Sequence, residues 1–200
     1  LYKTSKNKKE SAEKSEVVSL LTICRLEKRK GILPVLRCLS NLNANNLLKP
    51  FKWNICGEGL QLEELKENIK KLNLSNNVFL AGKINGNLKQ KFLESSDVFV
   101  MPSYKVNNSI EGFGISYVEA AAYKIPSIAG LDGGVTDAVI DSKTGWCVDP
   151  MNEENLANVL KEAINNKNLR QKYGLQAEKN FLKNFLGEKV FRKFMNAISI

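Results

Sequence analysis

Two kinds of apolar spacing alternate along most of this chain. Short apolar runs of strand length lie at 17–24, 51–56, 77–81, 97–101, 125–129 and 145–148. Between them, apolar residues recur every three or four positions, as at Leu62, Leu65, Ile69 and Leu72, which is the spacing of an amphipathic helix. The pattern predicts helices over 31–43, 60–72, 87–94, 113–122, 153–165 and 169–184.

The alternation of strands and helices predicts the α/β class. Such an order is typical of a Rossmann-like parallel sheet with helices on both faces. Ligands of these sheets bind beyond the carboxyl ends of the strands. The glycine-containing and charged motifs described below each follow a predicted strand closely, so we expect a nucleotide-type crevice at that edge.

The two ends of the chain differ from its middle. Residues 1–16 are rich in Lys, Ser and Glu and are expected to form a flexible linker or tail. Residues 17–184 carry the alternating pattern and are expected to form one domain. Residues 185–200 are expected to form a C-terminal amphipathic helix with Val190, Phe191, Phe194 and Ile198 on its apolar face.

The amino-acid composition limits which catalytic, metal-binding and disulfide chemistry is expected. There is no histidine, which removes the commonest general base and metal ligand. The four cysteines stand far apart, without a C-x-x-C pair, and are expected to be free thiols. No apolar run approaches the length of a membrane span and no signal-peptide pattern opens the chain, so a cytoplasmic location is expected.

The net charge of +9 has several interpretations. The lysines are scattered over polar helix faces without interleaved aromatic residues, so we expect no nucleic-acid partner. Attraction to an anionic surface, which would place the protein peripherally at the inner membrane face, stays open.

The most informative segment is 111–121, where Glu111 and Glu119 stand eight residues apart. Gly112 and Gly114 lie just after the first carboxylate, and small or apolar residues surround the second. The pattern is typical of a glycine-containing loop that leads into a buried helix, whose first N–H groups suit a phosphate. A helix start with an acidic residue favoured by the dipole is the plainer interpretation.

Basic residues after the first predicted strand supply candidate phosphate ligands. Arg25 and Lys30 lie in the loop and at the start of its helix, within a charge-dense run. Arginine can donate two hydrogen bonds at once to phosphate oxygens, and lysine carries a compact positive charge. One cation of each kind therefore suits a diphosphate. An ordinary basic loop is the alternative.

Seven further segments accompany 111–121 in a fixed order: 24–31, 56–59, 80–83, 96–103, 124–129, 133–139 and 145–148. In order and spacing, residues 17–182 resemble the C-terminal nucleotide-sugar-binding domain of group 1 (family four) GT-B retaining glycosyltransferases. That domain is one half of a GT-B fold. Two positions depart from the pattern: Leu60 stands where many relatives have proline, and Ala122-Tyr123-Lys124 where many have small residues with glycine.

The resemblance implies roles for individual residues. Arg25 and Lys30 would neutralise the diphosphate, and Glu111 would face the transferred sugar. Glu119 would accept hydrogen bonds from the ribose hydroxyls. A second set would line the donor through the main chain: Gly57, Gly59, Lys83, Phe113, Gly114 and Ile115.

The resemblance also implies an activity, namely transfer of a sugar from a nucleotide diphosphate sugar to an acceptor hydroxyl with retained configuration. No Asp-x-Asp motif occurs, so we expect no metal, and no cofactor besides the donor substrate. The acceptor would be held by a missing N-terminal domain on which 185–200 would pack, so the chain alone is expected to be inactive. A nucleotide-sugar epimerase and a non-catalytic nucleotide- or polyanion-binding module are the alternatives.

Overall fold

A computed structural model describes residues 17–186 and contains one parallel sheet of six strands. In space the strands follow the order β3-β2-β1-β4-β5-β6, and each neighbouring pair is parallel. Along the chain they are β1 (Val18–Ile23), β2 (Phe51–Cys56), β3 (Val78–Gly82), β4 (Val98–Met101), β5 (Ser127–Ala129) and β6 (Gly145–Cys147).

Helices connect the strands and close the chain. They are α1 (Ile32–Ala44), α2 (Leu62–Lys71), α3 (Gly86–Ser95), α4 (Ile115–Ala122), α5 (Val135–Ala138), α6 (Glu153–Asn165) and α7 (Lys167–Asn184). A 3-10 helix, Lys28–Lys30, precedes α1. Every strand and helix predicted within residues 17–184 is found, whereas the sequence pattern missed α5 and the 3-10 helix because neither is long enough to show a period.

The core lies on both faces of the sheet, as predicted. Leu20 packs into one apolar cluster with α1, α2 and α6, and its neighbour Leu21 packs into another with α3, α4 and α5. Consecutive side chains of a strand point to opposite faces, so a strand with helices on both sides is apolar throughout. The Rossmann-like α/β class is confirmed.

Buried polar groups tie the three central strands together. The Trp53 indole N–H donates to the Thr22 hydroxyl over 2.9 Å. Thr22 in turn donates to the carbonyl oxygen of Val100. These bonds link β2 to β1 and β1 to β4, the pair of strands at which the candidate site lies.

The strand order changes direction between β1 and β4. The chain leaves β1 toward β2 through α1, which packs in the first cluster, and leaves β4 toward β5 through α4, which packs in the second. The two connections therefore diverge to opposite faces and open a crevice at the carboxyl ends of these strands.

The departure at 122–124 is accommodated in the fold. Tyr123 is half-buried and packs against the α3–α5 cluster and against a small cluster shared by α4 and α7. Lys124 adopts φ +60°, a left-handed conformation that favours glycine. The lysine therefore keeps the turn geometry at some conformational cost.

Two of the predicted segments cannot be compared with the structure. Residues 1–16 and nearly all of 185–200, including Phe191, Phe194 and Ile198, lie outside the described residues. Among residues 17–186, no helix combines the length and the apolar character needed to cross a membrane.

Candidate functional site

Lys30 and Glu111 meet at the crevice between β1 and β4. The Lys30 ammonium donates to the Glu111 carboxylate across 81 positions of sequence, and the two side chains are 8% and 12% exposed. Gly31 makes this approach feasible: it ends the 3-10 helix at φ +73°, and a Cβ there would overlap the carbonyl oxygen of Pro102 beyond β4. Two residues that were predicted to contact different parts of the donor, Lys30 and Glu111, thus contact each other.

Arg29 is a second cation on Glu111, which sequence reasoning did not single out. Its guanidinium lies 2.9 Å from the Glu111 carboxylate and 3.0 Å from that of Glu27. The main-chain carbonyl of Arg29 also accepts from the N–H of Tyr104, just beyond β4. The charge-dense run at 28–30 was the only signal, and it does not show which of its cations turn inward.

Arg25 lies at the outer end of this cluster. Its side chain is 82% exposed, and its Nε lies 3.1 Å from the Glu27 carboxylate. Arg25 is therefore linked to Glu111 only indirectly, because Glu27 pairs with both Arg25 and Arg29, and Arg29 pairs with Glu111. The structure does not bring Arg25 into contact with Lys30. Because it is exposed, most of its donors face solvent, where an anion would approach.

Gly57 and Gly59 fix the loop that carries Arg25. A Cβ on Gly57 would overlap the carbonyl oxygen of Cys24, and one on Gly59 would overlap that of Leu26. The two loops are also joined by a hydrogen bond of 2.8 Å from the Leu26 N–H to the Glu58 carbonyl. Both glycines are therefore needed for this close approach, apart from any role toward a ligand.

The loop after β3 borders the same edge. The Gly57 N–H donates to the carbonyl of Gly82 over 2.8 Å, which places Lys83 one residue beyond the contact. The Lys83 side chain is exposed. Loops from β1, β2, β3 and β4 thus share the carboxyl edge.

The start of α4 lies against the end of β1. Helix α4 begins at Ile115, two positions later than predicted, with Gly114 at φ +77° before it. The Ser116 hydroxyl donates to the carbonyl oxygen of Ile23 over 2.9 Å. Ile115 is 68% exposed, so the first turn of the helix opens to solvent at the crevice.

Phe113 lies outside the helix into which it was predicted. Its ring contacts that of Phe185, after α7, with centroids 5.6 Å apart. The rings cross at 61°, an edge-to-face arrangement. The ring contact fixes the side chain of Phe113. Its main chain lies just before Gly114, which caps the start of α4.

Gly133 and Gly134 support Glu111 from behind. The Gly134 N–H donates to the carbonyls of Glu111 and Gly112 over 3.3 Å and 3.0 Å. A Cβ on Gly133 would overlap the Glu111 carbonyl oxygen. The loop after β5 therefore positions the carboxylate through its backbone.

Glu119 stands apart from the basic cluster. It is three positions after Ser116 on α4, so it shares the helix face that turns toward the end of β1. Its carboxylate is 2.5 Å from the Lys89 ammonium of α3, and the side chains are 13% and 30% exposed. Lys89 is a second residue that sequence reasoning missed.

Burial beneath the site keeps two weakly acidic side chains, the Cys24 thiol and the Tyr117 phenol, in their neutral forms. Burial raises the pKa of the Cys24 thiol to about 12, against a smaller opposing effect of Lys30. Burial also raises the pKa of Tyr117, whose hydroxyl donates to the Met101 carbonyl. The four cysteines are free, as predicted. Residues 17–186 contain no cluster of three Cys, Asp or Glu side chains that could hold a metal ion.

Cations, a helix start and two carboxylates therefore share one edge of the sheet. Arg25 and Lys30 can neutralise a bound anion, and carboxylates can accept from hydroxyl groups. This combination suits a ligand that carries both phosphate and sugar.

The family model described as "Glycosyl transferases group 1" matches residues 3–180. A curated relative, the poly(ribitol-phosphate) alpha-N-acetylglucosaminyltransferase of Staphylococcus aureus, is 30% identical over 72% of this chain and 28% of its own length. The 2-deoxystreptamine N-acetyl-D-glucosaminyltransferase of Niallia circulans is 28% identical over 74% of this chain and 37% of its own length. The chain thus spans well under half of these relatives.

Solved structures give the same fold. S. aureus TarM, in complex with Fondaparinux, alpha-GlcNAc-glycerol and UDP, matches 92% of this chain and 36% of its own with a TM-score of 0.75 and 27% identity. Anabaena HepE, in complex with UDP and glucose, matches 92% of this chain and 48% of its own with a TM-score of 0.78 and 20% identity. The second likeness concerns the fold alone.

Proposed function

The chain belongs to the group 1 glycosyl transferases, and we propose that it is the donor-binding domain of an enzyme that transfers a sugar from a nucleotide diphosphate sugar to an acceptor hydroxyl. The observation that carries the proposal is the Lys30–Glu111 pair, with Arg29, at the crevice between β1 and β4. Glu111 is the anionic partner that the buried Lys30 cation needs at this ligand-accessible edge. A donor diphosphate would replace the carboxylate in that role.

The donor diphosphate would lie between Arg25, Lys30 and the start of α4. Arg25 is exposed and ready to grip phosphate oxygens, and Lys30 would turn from Glu111 to the phosphate. Arg29 would still hold Glu111 after that exchange. The main-chain N–H groups near Gly114 and Ile115 would complete the anion site.

The sugar and ribose would use the carboxylates. Glu111, released by Lys30, would accept from hydroxyls of the transferred sugar, and Glu119 from the ribose hydroxyls. Gly57 and Gly59 would let the main chain approach the diphosphate, and the backbone at Lys83 would border the base. Loss of the diphosphate develops negative charge, which the positioned cations would stabilise.

Retention of configuration and independence from a metal are further parts of the proposal. Side-chain cations and a helix start would compensate the leaving diphosphate where other enzymes use a divalent ion. An enzyme of this kind keeps its activity in the presence of a chelator, and its product has the anomeric configuration of the donor.

We place the acceptor on residues beyond these 200, in an N-terminal domain of the whole protein. The shares of 28% and 37% of the relatives' lengths support this assignment. A cytoplasmic location, with the basic surface held at an anionic inner membrane face, would suit a membrane-bound acceptor. The chain alone would then bind donor nucleotides weakly and transfer no sugar.

Isothermal titration of the chain with UDP, GDP and ADP tests the donor site. We expect one base to be preferred, and affinity to fall about tenfold or more in Arg25→Ala and Lys30→Ala because each loses a charge-assisted contact. Lys28→Ala is the matched control, since Lys28 is an exposed cation of the same loop.

The alternatives give different results in the same titration. Binding of any polyanion with strong salt dependence, unchanged in Glu119→Ala, would instead identify a polyanion-binding module. Absence of binding by all three nucleotides would overturn the proposal.

A further inference from the structure

The ion pair between Lys89 and Glu119 joins two helices that flank the crevice. Lys89 belongs to the first half of α3, which follows the loop of Lys83, and Glu119 belongs to α4. The ammonium lies 2.5 Å from one carboxylate oxygen, Oε1. Among residues 17–186, Lys89 is the cation that pairs with Glu119.

The geometry points to Lys89 as the residue that positions Glu119 for a ribose. We infer that Lys89 holds one carboxylate oxygen and thereby aims the other at the hydroxyls of a nucleoside diphosphate. The inference rests on the proposed function, because it assumes that Glu119 receives those hydroxyls.

Burial explains why such a residue is needed. The Glu119 side chain is 13% exposed, and a carboxylate removed from water to that extent needs a cation or hydrogen bonds. Without Lys89 the carboxylate would rotate toward solvent. That change removes an aimed acceptor from the ribose.

The pairing with Lys89 leaves enough hydrogen-bond acceptor positions on the Glu119 carboxylate for a ribose. An ionised carboxylate has about four acceptor positions, of which the Lys89 ammonium uses one on Oε1. Two adjacent hydroxyls can therefore still be accommodated. Lys89 also comes from a different element than Glu119, so it fixes the carboxylate relative to the loop after β3.

The test compares ribose and dideoxyribose ligands on the same set of variants. UDP, GDP and ADP and their 2′,3′-dideoxy counterparts are titrated against the native chain, Lys89→Met, Lys89→Arg, Glu119→Gln and the double variant Lys89→Met/Glu119→Gln. Lys91→Met is the matched control, because Lys91 is exposed on the same helix. Thermal unfolding of each variant shows that the fold is kept.

We expect Lys89→Met to weaken the preferred ribonucleotide about tenfold and to leave its dideoxy counterpart unchanged. Lys89→Arg should retain most of the affinity, and Lys89→Met should add little in a Glu119→Gln background. Lys91→Met should bind as the native chain does.

The failures are distinguishable. If no ribonucleotide binds the native chain, the proposed function fails and this inference with it. If ribonucleotides bind and Lys89→Met does not change their affinity, the inference alone is overturned. Equal losses for ribose and dideoxy ligands would show that Lys89 contacts the phosphates or supports the fold, and would also overturn it.

Discussion

Lys30 donates to the carboxylate of Glu111, so the cation expected to meet a phosphate already has an anionic partner in the structure. Glu111 also accepts from Arg29, over 2.9 Å. A diphosphate that reached Lys30 would therefore exchange one anion for another, while Arg29 kept the carboxylate in place. Competition between ligand and carboxylate is thus part of the binding equilibrium.

This competition predicts opposite effects of Glu111→Gln on binding and on stability. Removal of the charge frees Lys30, so affinity for the preferred nucleoside diphosphate should rise about two- to tenfold. Stability should fall by about 1–3 kcal/mol, because the buried Lys30 and the half-buried Arg29 lose their shared carboxylate. Isothermal titration and urea unfolding measure the two quantities.

Glu58→Gln is the control for that experiment, since Glu58 is an exposed carboxylate on the neighbouring loop. It should change neither quantity appreciably. Weaker nucleotide binding by Glu111→Gln would contradict the idea that Glu111 competes for Lys30.

A second prediction concerns Gly59, whose φ is not in the left-handed region but whose Cβ position is occupied by the backbone of Leu26. Gly59→Ala should lower the free energy of unfolding by about 1–3 kcal/mol through this overlap. Gly86→Ala should be neutral within about 1 kcal/mol, because a Cβ on Gly86 meets open space. Urea unfolding of both variants checks the difference, and equal stabilities would show that the two loops separate at little cost.

A third prediction concerns Lys124, which adopts φ +60°, a left-handed conformation that favours glycine. Lys124→Gly should stabilise the chain by about 0.5–1 kcal/mol by relieving the left-handed conformation. The comparison with Lys124→Ala isolates this effect, because both variants lose the exposed 3.5 Å ion pair with Glu178. Lys124→Ala as stable as Lys124→Gly would show that the backbone is unstrained there.

A fourth prediction follows from the thiol of Cys56, which is fully buried. Burial raises its pKa from 9.0 to about 12, so the unfolded chain loses this proton first as pH rises. The contribution of Cys56 to stability is therefore fully present below pH 9 and is lost progressively toward pH 12, with about 2 kcal/mol of it lost by pH 10.5.

Urea unfolding at pH 8 and pH 10.5 measures this loss. Cys56→Ala should show a smaller decline between the two pH values than the native chain, whatever its stability at pH 8. An identical decline would show that other groups account for the alkaline sensitivity.

The architecture was predictable because it depends on local patterns. Strand β2 and helix α6 have the predicted bounds, since both combine clear apolar spacing with glycine or asparagine at an end. Helix α4 began later than predicted because Phe113 continues the apolar pattern while Gly114 breaks the helix. Helix α5 has four residues, too few to show the apolar spacing by which a helix is predicted.

The site was predictable only in part. The motifs that led to the choice of Glu111, Glu119, Arg25 and Lys30 have local spacing. Their partners were not: Arg29 contacts Glu111 across 82 positions and Lys89 contacts Glu119 across 30, and no local pattern encodes such distances. The sequence also did not show that Arg25 would remain exposed while Lys30 became buried.

The reversal of strand order at β1 divides the site between two successive lengths of polypeptide. Arg25, Lys30 and the glycines of the loop after β2 precede β3. Glu111, Glu119 and the start of α4 follow it. A backbone cut between β3 and α3 would leave two fragments that each hold half of the ligand contacts. Donor binding would then report directly on whether the fragments reassociate, which makes this domain suited to complementation assays.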